Sequence, residues 1–158
     1  MKIIDNFLSD YEFKTLQAMF LSNQFSWYWG EEKVLGDNSE INYQFYHSFY
    51  EDNESYSNRN IKPIINKLDI RAIHKIKANL TLHTEKIYQY KFHTDVENFK
   101  CTTGVFYINT NDGYTLFENG DKIESVSNRM LLFDSDKRHA GTTCTNAKRR
   151  VVLNLNFF

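Results

Sequence analysis

The sequence is short of the residues that punctuate or cross-link a chain, with one proline, six glycines and two cysteines in 158 residues. The cysteines, Cys101 and Cys144, stand far apart, with neither CxxC spacing nor a cysteine-rich framework around them. That excludes a zinc ribbon and a disulfide-stapled secreted scaffold, and fits a reducing cytoplasm. A dominant charge is missing too, since 19 Lys and Arg stand against 20 Asp and Glu. No overall field therefore draws the chain to nucleic acid or to an anionic membrane. No apolar run approaches the ~20 residues that span a bilayer, and Met1 to Phe7 mixes charged and apolar side chains where a leader would be basic and then apolar. The expectation is a soluble cytoplasmic protein of one domain, 1–158, without repeats, linkers or low-complexity segments, and long enough to bury its own core.

What the sequence does have is pattern. Ser9 stands three residues before Glu12, which is capping-box spacing, and Phe13, Leu16 and Phe20 follow at helical intervals. An amphipathic helix should therefore begin after Ser9. From Asn23 to Tyr56 aromatic residues mix with turn formers such as Gly36, Asp37 and Asn38, favouring strands and long loops. Trp27, Tyr28 and Trp29 suit either a substrate groove or packing beneath a sheet edge, and Tyr43, Phe45 and His47, which share a face if extended, are candidate substrate contacts. Ile61, Ile64, Ile65 and Leu68 predict a second helix from about Asn60, with Pro63 tolerated near its start. From Ile70 onward the chain becomes a train of short runs: Ile70 to Leu82, Ile87 to Phe92, Cys101 to Asn109, Tyr114 to Glu118, Lys122 to Ser125, Arg129 to Phe133 and Arg150 to Phe158. Asn119-Gly120 between two of them is a hairpin signal. The predicted class is mainly β with flanking helices (α+β), in the form of a β-sandwich, jelly roll or barrel. In this division 70–158 forms the β core and 1–69 the helical N-terminal part.

The chemistry-bearing residues concentrate in that β-rich half. His93 and Asp95 are two apart, so on extended chain both side chains leave the same face and reach one ion. His139, 44 residues further on, follows a strand and a polar turn that in a jelly roll can return beside them. Two imidazoles and a carboxylate on one side of an octahedron leave three positions open, the arrangement of non-haem Fe(II) oxygenases. A structural zinc site would be closed.

The last strand tests this independently. Val151, Leu153, Leu155 and Phe157 make one apolar face, while Arg150, Val152, Asn154 and Asn156 make the other. Burying an Arg and two Asn on an inner wall costs several kcal/mol unless they find partners, and a polar, liganded cavity would supply them. Arg150, eleven residues after His139, would then lie beyond the metal, where it could grip a carboxylate bidentately. Arg149 is the alternative anchor, although its parity assigns it to the apolar face.

These residues resemble the Fe(II)- and 2-oxoglutarate-dependent dioxygenases, on the prolyl hydroxylase side and especially its small phage-type members. The resemblance covers Ile76 to Phe158 in five blocks: Tyr88 to Asp95, Cys101 to Asn109, Asp112 to Phe117, Asn128 to Asp134, and His139 to Thr142 with Arg150 to Asn154. It implies a double-stranded β-helix (cupin-like jelly roll) with His93, Asp95 and His139 as iron ligands, 2-oxoglutarate chelating the iron, and Arg150 binding its distal carboxylate. Tyr107 matches a tyrosine that shares this carboxylate, and Tyr90 matches another aromatic residue near the pocket. The chain departs from the pattern where many relatives have Gly-Gly and it has Gly113-Tyr114. Residues 1–69 carry no matching motif, and in the family that region helps to build the substrate cleft.

The implied activity couples oxidative decarboxylation of 2-oxoglutarate, with O2, to succinate and to C–H hydroxylation of a substrate. Asp95 occupies the position a halide would need, which argues for hydroxylation over halogenation. The resemblance leans toward a protein, peptide or small-molecule substrate, with nucleic acid disfavoured by the near-neutral charge. A phage-type member would act in the cytoplasm of an infected bacterium. Two other readings stand beside it: a cupin-like metal enzyme that does not use 2-oxoglutarate, and a non-enzymatic phage accessory protein with a vestigial site. Arg150 with Tyr107 discriminates against the first, the intact triad with Arg150 against the second. His47, His74, His83 and Cys144 read as ordinary packing or surface residues.

Overall fold

The computed structural model describes residues 1–158. The expected N-terminal helix is α1, Asp10–Leu21, and Ser9 caps it with the full reciprocal box: its hydroxyl accepts from Glu12 N–H and the Glu12 carboxylate accepts from Ser9 N–H. Phe13, Leu16 and Phe20 are its buried face. The second helix is much shorter than the periodicity predicts. Only one turn, α2 (Lys62–Ile65), forms before the chain breaks into turns, because Ile61 lacks a capping side chain and four apolar residues over two turns do not outweigh nucleation.

Eleven strands follow the order β1 (Lys2–Ile4), β2 (Tyr28–Gly30), β3 (Gln44–Glu51), β4 (Glu54–Ser55), β5 (Ile73–Leu82), β6 (Thr102–Tyr107), β7 (Tyr114–Phe117), β8 (Lys122–Glu124), β9 (Arg129–Asp134), β10 (His139–Gly141) and β11 (Arg149–Phe157). The large sheet runs β1-β9-β6-β11-β5-β3-β2, with β4 paired to β3, and the small one runs β10-β7-β8. All their ladders are antiparallel. The Asn119-Gly120 signal falls in the β7–β8 hairpin, where Gly120 takes φ +94°. The run Ile87 to Phe92 corrects the sequence reading, since it forms no strand: it makes the isolated bridge Gln89 to Thr142, and the next residue, His93, bridges to His139. The architecture is a jelly-roll double-stranded β-helix.

Strand parity divides the interior in two. The odd residues of β11, Val151, Leu153 and Leu155, join Ile76, Ala78 and Leu80 of β5 and the buried face of α1 in the larger apolar core, behind the large sheet. A smaller core between the sheets contains Val105, Tyr107, Phe117, Ile123, Leu131, Phe133 and Val152. Odd residues of β5 (Lys75, Lys77, Asn79) and even residues of β11 (Arg150, Asn154, Asn156) line the remaining space between the sheets, and these are polar. No helix is long and apolar enough to cross a membrane.

Candidate metal centre and anion pocket

His139 opens β10 and His93 is its partner across a two-way backbone bridge, His93 N–H to His139 O at 3.0 Å and His139 N–H to His93 O at 2.9 Å. That bridge sets the two rings side by side, with centroids 4.8 Å apart. Asp95, two residues on, brings Oδ1 to 3.7 Å from Nε2 of each histidine. One potential ligand atom from each of the three residues lies within 4.8 Å of the others.

Each side chain is held from behind. His93 Nδ1 faces Lys91 O at 3.2 Å and His139 Nδ1 faces Lys137 O at 3.0 Å. A carbonyl only accepts, so both Nδ1 atoms carry the proton and both Nε2 lone pairs aim at the shared point. Asn156 of β11 donates to Asp95 Oδ2 (3.3 Å) and to Thr103 Oγ1 (3.0 Å), leaving Asp95 Oδ1 for the same point. Such outer hydrogen bonds fix tautomer and orientation in metal sites. Burial, with His139 alongside, holds the His93 pKa below its usual value, so the ring is neutral at pH 7 and ready to donate its lone pair.

The triad lines a polar cavity of about 180 Å³ between the sheets. Arg150, 3% exposed, sits among its lining residues. Its Nε donates to Ser125 Oγ (2.9 Å) and its Nη2 to Thr115 Oγ1 (3.3 Å), but no carboxylate lies within salt-bridge distance. A guanidinium stays protonated even here, so the interior holds an uncompensated cation. Asn79 Oδ1, Thr81 Oγ1 and Asn154 Oδ1, on the same inner face of β5 and β11, are buried without hydrogen-bond partners. Buried polar atoms in this state mark a missing ligand or water.

Charge along the cavity is one-sided: Lys33, Lys75, Lys77 and Arg150 line it against the single carboxylate of Asp95. Glu51 neutralises Lys75. Burial, reinforced by Arg150, pushes the Lys33 pKa down to about 7, and burial with Lys75 alongside lowers that of Lys77.

Two residues expected at the co-substrate, Tyr107 and Tyr90, stand outside the cavity lining. Tyr107 is fully buried, and its hydroxyl donates to Thr115 Oγ1 at 2.8 Å, the same oxygen that accepts from Arg150. Its contact with the cavity is thus indirect, through Thr115 and Arg150. Tyr90 is buried with its ring 4.7 Å from the Lys33 ammonium, and it too is absent from the cavity lining. Arg149 points to the helix side, where Nη2 donates to Leu21 O at 2.7 Å, which leaves Arg150 as the interior arginine.

Tyr43, Phe45 and His47, the expected substrate contacts, are absent from the cavity lining, and Tyr43 stacks on Trp29 with ring centroids 5.0 Å apart. His47 bonds Ser26 O and Ser57 Oγ and stacks among Phe25 and Phe49, Phe45 packs on the large core, and Gln44 faces the cavity. Trp27 packs against the core, while Tyr28 and Trp29 are exposed. Lys75, Lys77, Asn79 and Thr81 escaped the sequence reading, although they alternate with Ile76, Ala78 and Leu80 as clearly as the residues of the final strand do. Nothing local marks Lys33, Thr115 or Ser125.

Gly113 is fixed by space. A Cβ there would lie 2.6 Å from Thr143 O, 2.7 Å from Arg150 Cδ and 2.8 Å from Asn111 Oδ1. Gly113→Ala must therefore displace the Thr143 backbone and Asn111 as well as the Arg150 stem. The expected result is a loss of roughly 1–3 kcal/mol in stability, as for overpacked cores, read by thermal or urea unfolding. An unchanged midpoint would mean that Thr143, Asn111 and Arg150 all give way without cost.

No family model matches the sequence, and no curated protein matches it. Solved structures do match in fold. A prolyl hydroxylase from Trichoplax adhaerens, in complex with a hypoxia inducible factor oxygen degradation domain peptide fragment, superposes at TM-score 0.68 with 19% identity, over 99% of this chain and 82% of that one. A Pseudomonas putida prolyl-4-hydroxylase gives 0.63 with 12% identity, covering 99% and 90%. A 2OG-Fe(II) oxygenase family oxidoreductase from Burkholderia pseudomallei gives 0.64 with 10% identity, covering 98% and 83%. At such identities the likeness establishes the fold.

Proposed function

We propose that this chain is an Fe(II)- and 2-oxoglutarate-dependent dioxygenase that hydroxylates a C–H bond. The carrying observation is the pairing, across one polar cavity, of an open-sided His93-Asp95-His139 cluster with a buried arginine that has no counter-ion. The donor set fits the metal: two neutral imidazoles and one carboxylate, with no thiolate, suit Fe(II) and cover one side only. The pocket fits the co-substrate, because a dicarboxylate can meet the metal centre with one end and Arg150 with the other.

Iron and 2-oxoglutarate, when bound, would supply the oxidising chemistry by which O2, 2-oxoglutarate and a substrate C–H become succinate, carbon dioxide and a substrate C–OH. The protein supplies position and field. His93, Asp95 and His139 would hold the metal, with Lys91 O, Lys137 O and Asn156 fixing their orientation. Arg150, steadied by Ser125 and Thr115, would fix the distal carboxylate and so the direction of the co-substrate. Tyr107 would act behind it, keeping Thr115 Oγ1 turned toward the guanidinium. No side chain is required as a general base.

For the substrate we favour a peptide residue, prolyl in type, over a small molecule. The peptide carried by the Trichoplax neighbour supports this. So do Tyr28 and Trp29, exposed on the edge strand β2 of the large sheet. A cupin-like activity without 2-oxoglutarate would leave Arg150 buried and unpaired without purpose.

Titration of the Mn(II)-loaded protein with 2-oxoglutarate should give saturable heat that disappears on chelating the metal. The Fe(II)-loaded protein in air should then form succinate from 2-oxoglutarate. Absence of both would overturn the assignment.

A further inference from the structure

The segment between β2 and β3 sends one ammonium into the cavity. Lys33 leads this segment, and its backbone is pinned: its N–H donates to Asn42 O (3.2 Å) and Asn42 Oδ1 (3.1 Å), and the next residue, Val34, donates to the same Oδ1 at 2.9 Å. Asn42 closes the loop by donating to Val34 O and Asp37 O. Asp37 in turn accepts from Lys91 N–H, two residues before His93. The loop is thus clasped to the chain that carries the candidate metal ligands, and its lysine has a fixed starting point.

No carboxylate lies within 4 Å of the Lys33 ammonium. Its one side-chain hydrogen bond goes to Gln44 Oε1, at 3.4 Å, and its charge rests 4.7 Å above the Tyr90 ring. A lysine carries three donors, so this head group is under-used. Burial weakens its hold on the proton, and the neighbouring Arg150 weakens it further. Two cations brought together in an interior repel one another unless an anion lies between them.

The geometry leaves room for that anion. The point where a Cβ on Gly141 would stand lies 3.6 Å from Arg150 Nη1 and 3.9 Å from Lys33 Nζ. Arg150 Nη1 makes no hydrogen bond within the protein, whereas Nε and Nη2 do. The two nitrogens are therefore at most about 7.5 Å apart, a span that one carboxylate bridges with oxygens about 2.2 Å apart and hydrogen bonds of about 2.8 Å. Glycine at 141 keeps a side chain from filling the gap.

We infer that Lys33 is a second anchor for the distal carboxylate of 2-oxoglutarate, which it shares with Arg150. This rests on the dioxygenase reading and adds to it a binding residue from the N-terminal half. Arg150 supplies one wall of the carboxylate site and Lys33 the opposite one.

The test is calorimetric, on the Mn(II)-loaded full chain, with 2-oxoglutarate and with 2-oxobutanoate, which keeps the metal-chelating end but lacks the distal carboxylate. Lys33→Met should weaken 2-oxoglutarate about tenfold or more and leave 2-oxobutanoate unchanged, the loss expected on removing one partner of a buried charge pair. Lys33→Arg should recover most of the loss. Arg150→Met combined with Lys33→Met should cost less than the two single losses together, because both residues act on one carboxylate. Equal affinity of wild type and Lys33→Met for 2-oxoglutarate would overturn the inference, as would equal weakening of both ligands, which would signal a displaced loop. Failure of the wild type to bind 2-oxoglutarate would instead overturn the function on which the inference rests. Matching thermal midpoints for wild type and variants would exclude a folding defect.

Discussion

Arg150→Met is expected to lower 2-oxoglutarate affinity by about a hundredfold or more while leaving the unliganded protein as stable as before, or more so. Truncating one member of a buried, hydrogen-bonded charge pair costs roughly 2–5 kcal/mol, and each 1.4 kcal/mol is about tenfold in affinity. In the ligand-free protein the sign is opposite. The guanidinium is 3% exposed, has two hydroxyl partners and lacks a counter-charge, so the fold bears its desolvation without return. Methionine fills similar volume without the charge. Its cost is limited to the hydroxyls of Ser125 and Thr115, and Thr115 still accepts from Tyr107. A binding residue held at the expense of stability is the signature of a functional site. Calorimetry on the Mn(II)-loaded protein and a thermal melt of the apo protein read the two halves separately. A variant that lost stability and kept its affinity would show that Arg150 is a structural residue.

The same opposition explains which parts of the molecule were legible in the sequence. The final strand was readable because its alternation is regular: apolar odd residues packing on α1, polar even residues with no solvent to face. The His93-Asp95 spacing was readable for the same geometric reason. Although the chain there forms only an isolated bridge, an extended conformation suffices to send both side chains one way. His139 could be brought back to them because a train of short strands has few ways to fold other than two facing sheets.

What stayed hidden depends on contacts made by residues distant in sequence. Lys33 sits in a stretch rich in turn formers, and only the Asn42 clasp and the Asp37–Lys91 bond aim it inward. Ile87 to Phe92 has strand composition, yet its backbone meets the small sheet at single points, because the segment must bend to deliver His93. β1 pairs with β9 over only three residues, and past its end Leu8 N–H donates to Asn128 Oδ1 just before β9, a contact 120 residues apart in sequence. Gly113 shows in the sequence only as part of the Gly113-Tyr114 departure. In the structure it is the space that the Arg150 stem occupies.

The same logic separates the metal end of the cavity from its anion end. His139→Ala removes an Nε2 donor from the centre and leaves the backbone bridge to His93 in place, since that bridge uses main-chain atoms only. Metal affinity should fall by more than the 10- to 100-fold typical of losing an outer partner, and succinate formation should cease. The histidine is 4% exposed and packs edge-on against Phe133, so the variant also loses some stability of its own. The discriminating quantity is therefore the shift on adding metal. At a hundredfold excess over its dissociation constant, Mn(II) should stabilise the wild type by about 2.7 kcal/mol, or roughly 5–10 °C in a domain of this size. His139→Ala should gain almost nothing, and Arg150→Met should gain the full shift, because its guanidinium belongs to the other end. A full shift in His139→Ala would mean that the ion binds elsewhere and that the convergence of the three side chains is incidental. A shift lost in both variants would mean that the two ends form one cooperative structure, with Arg150 needed to hold the triad in shape.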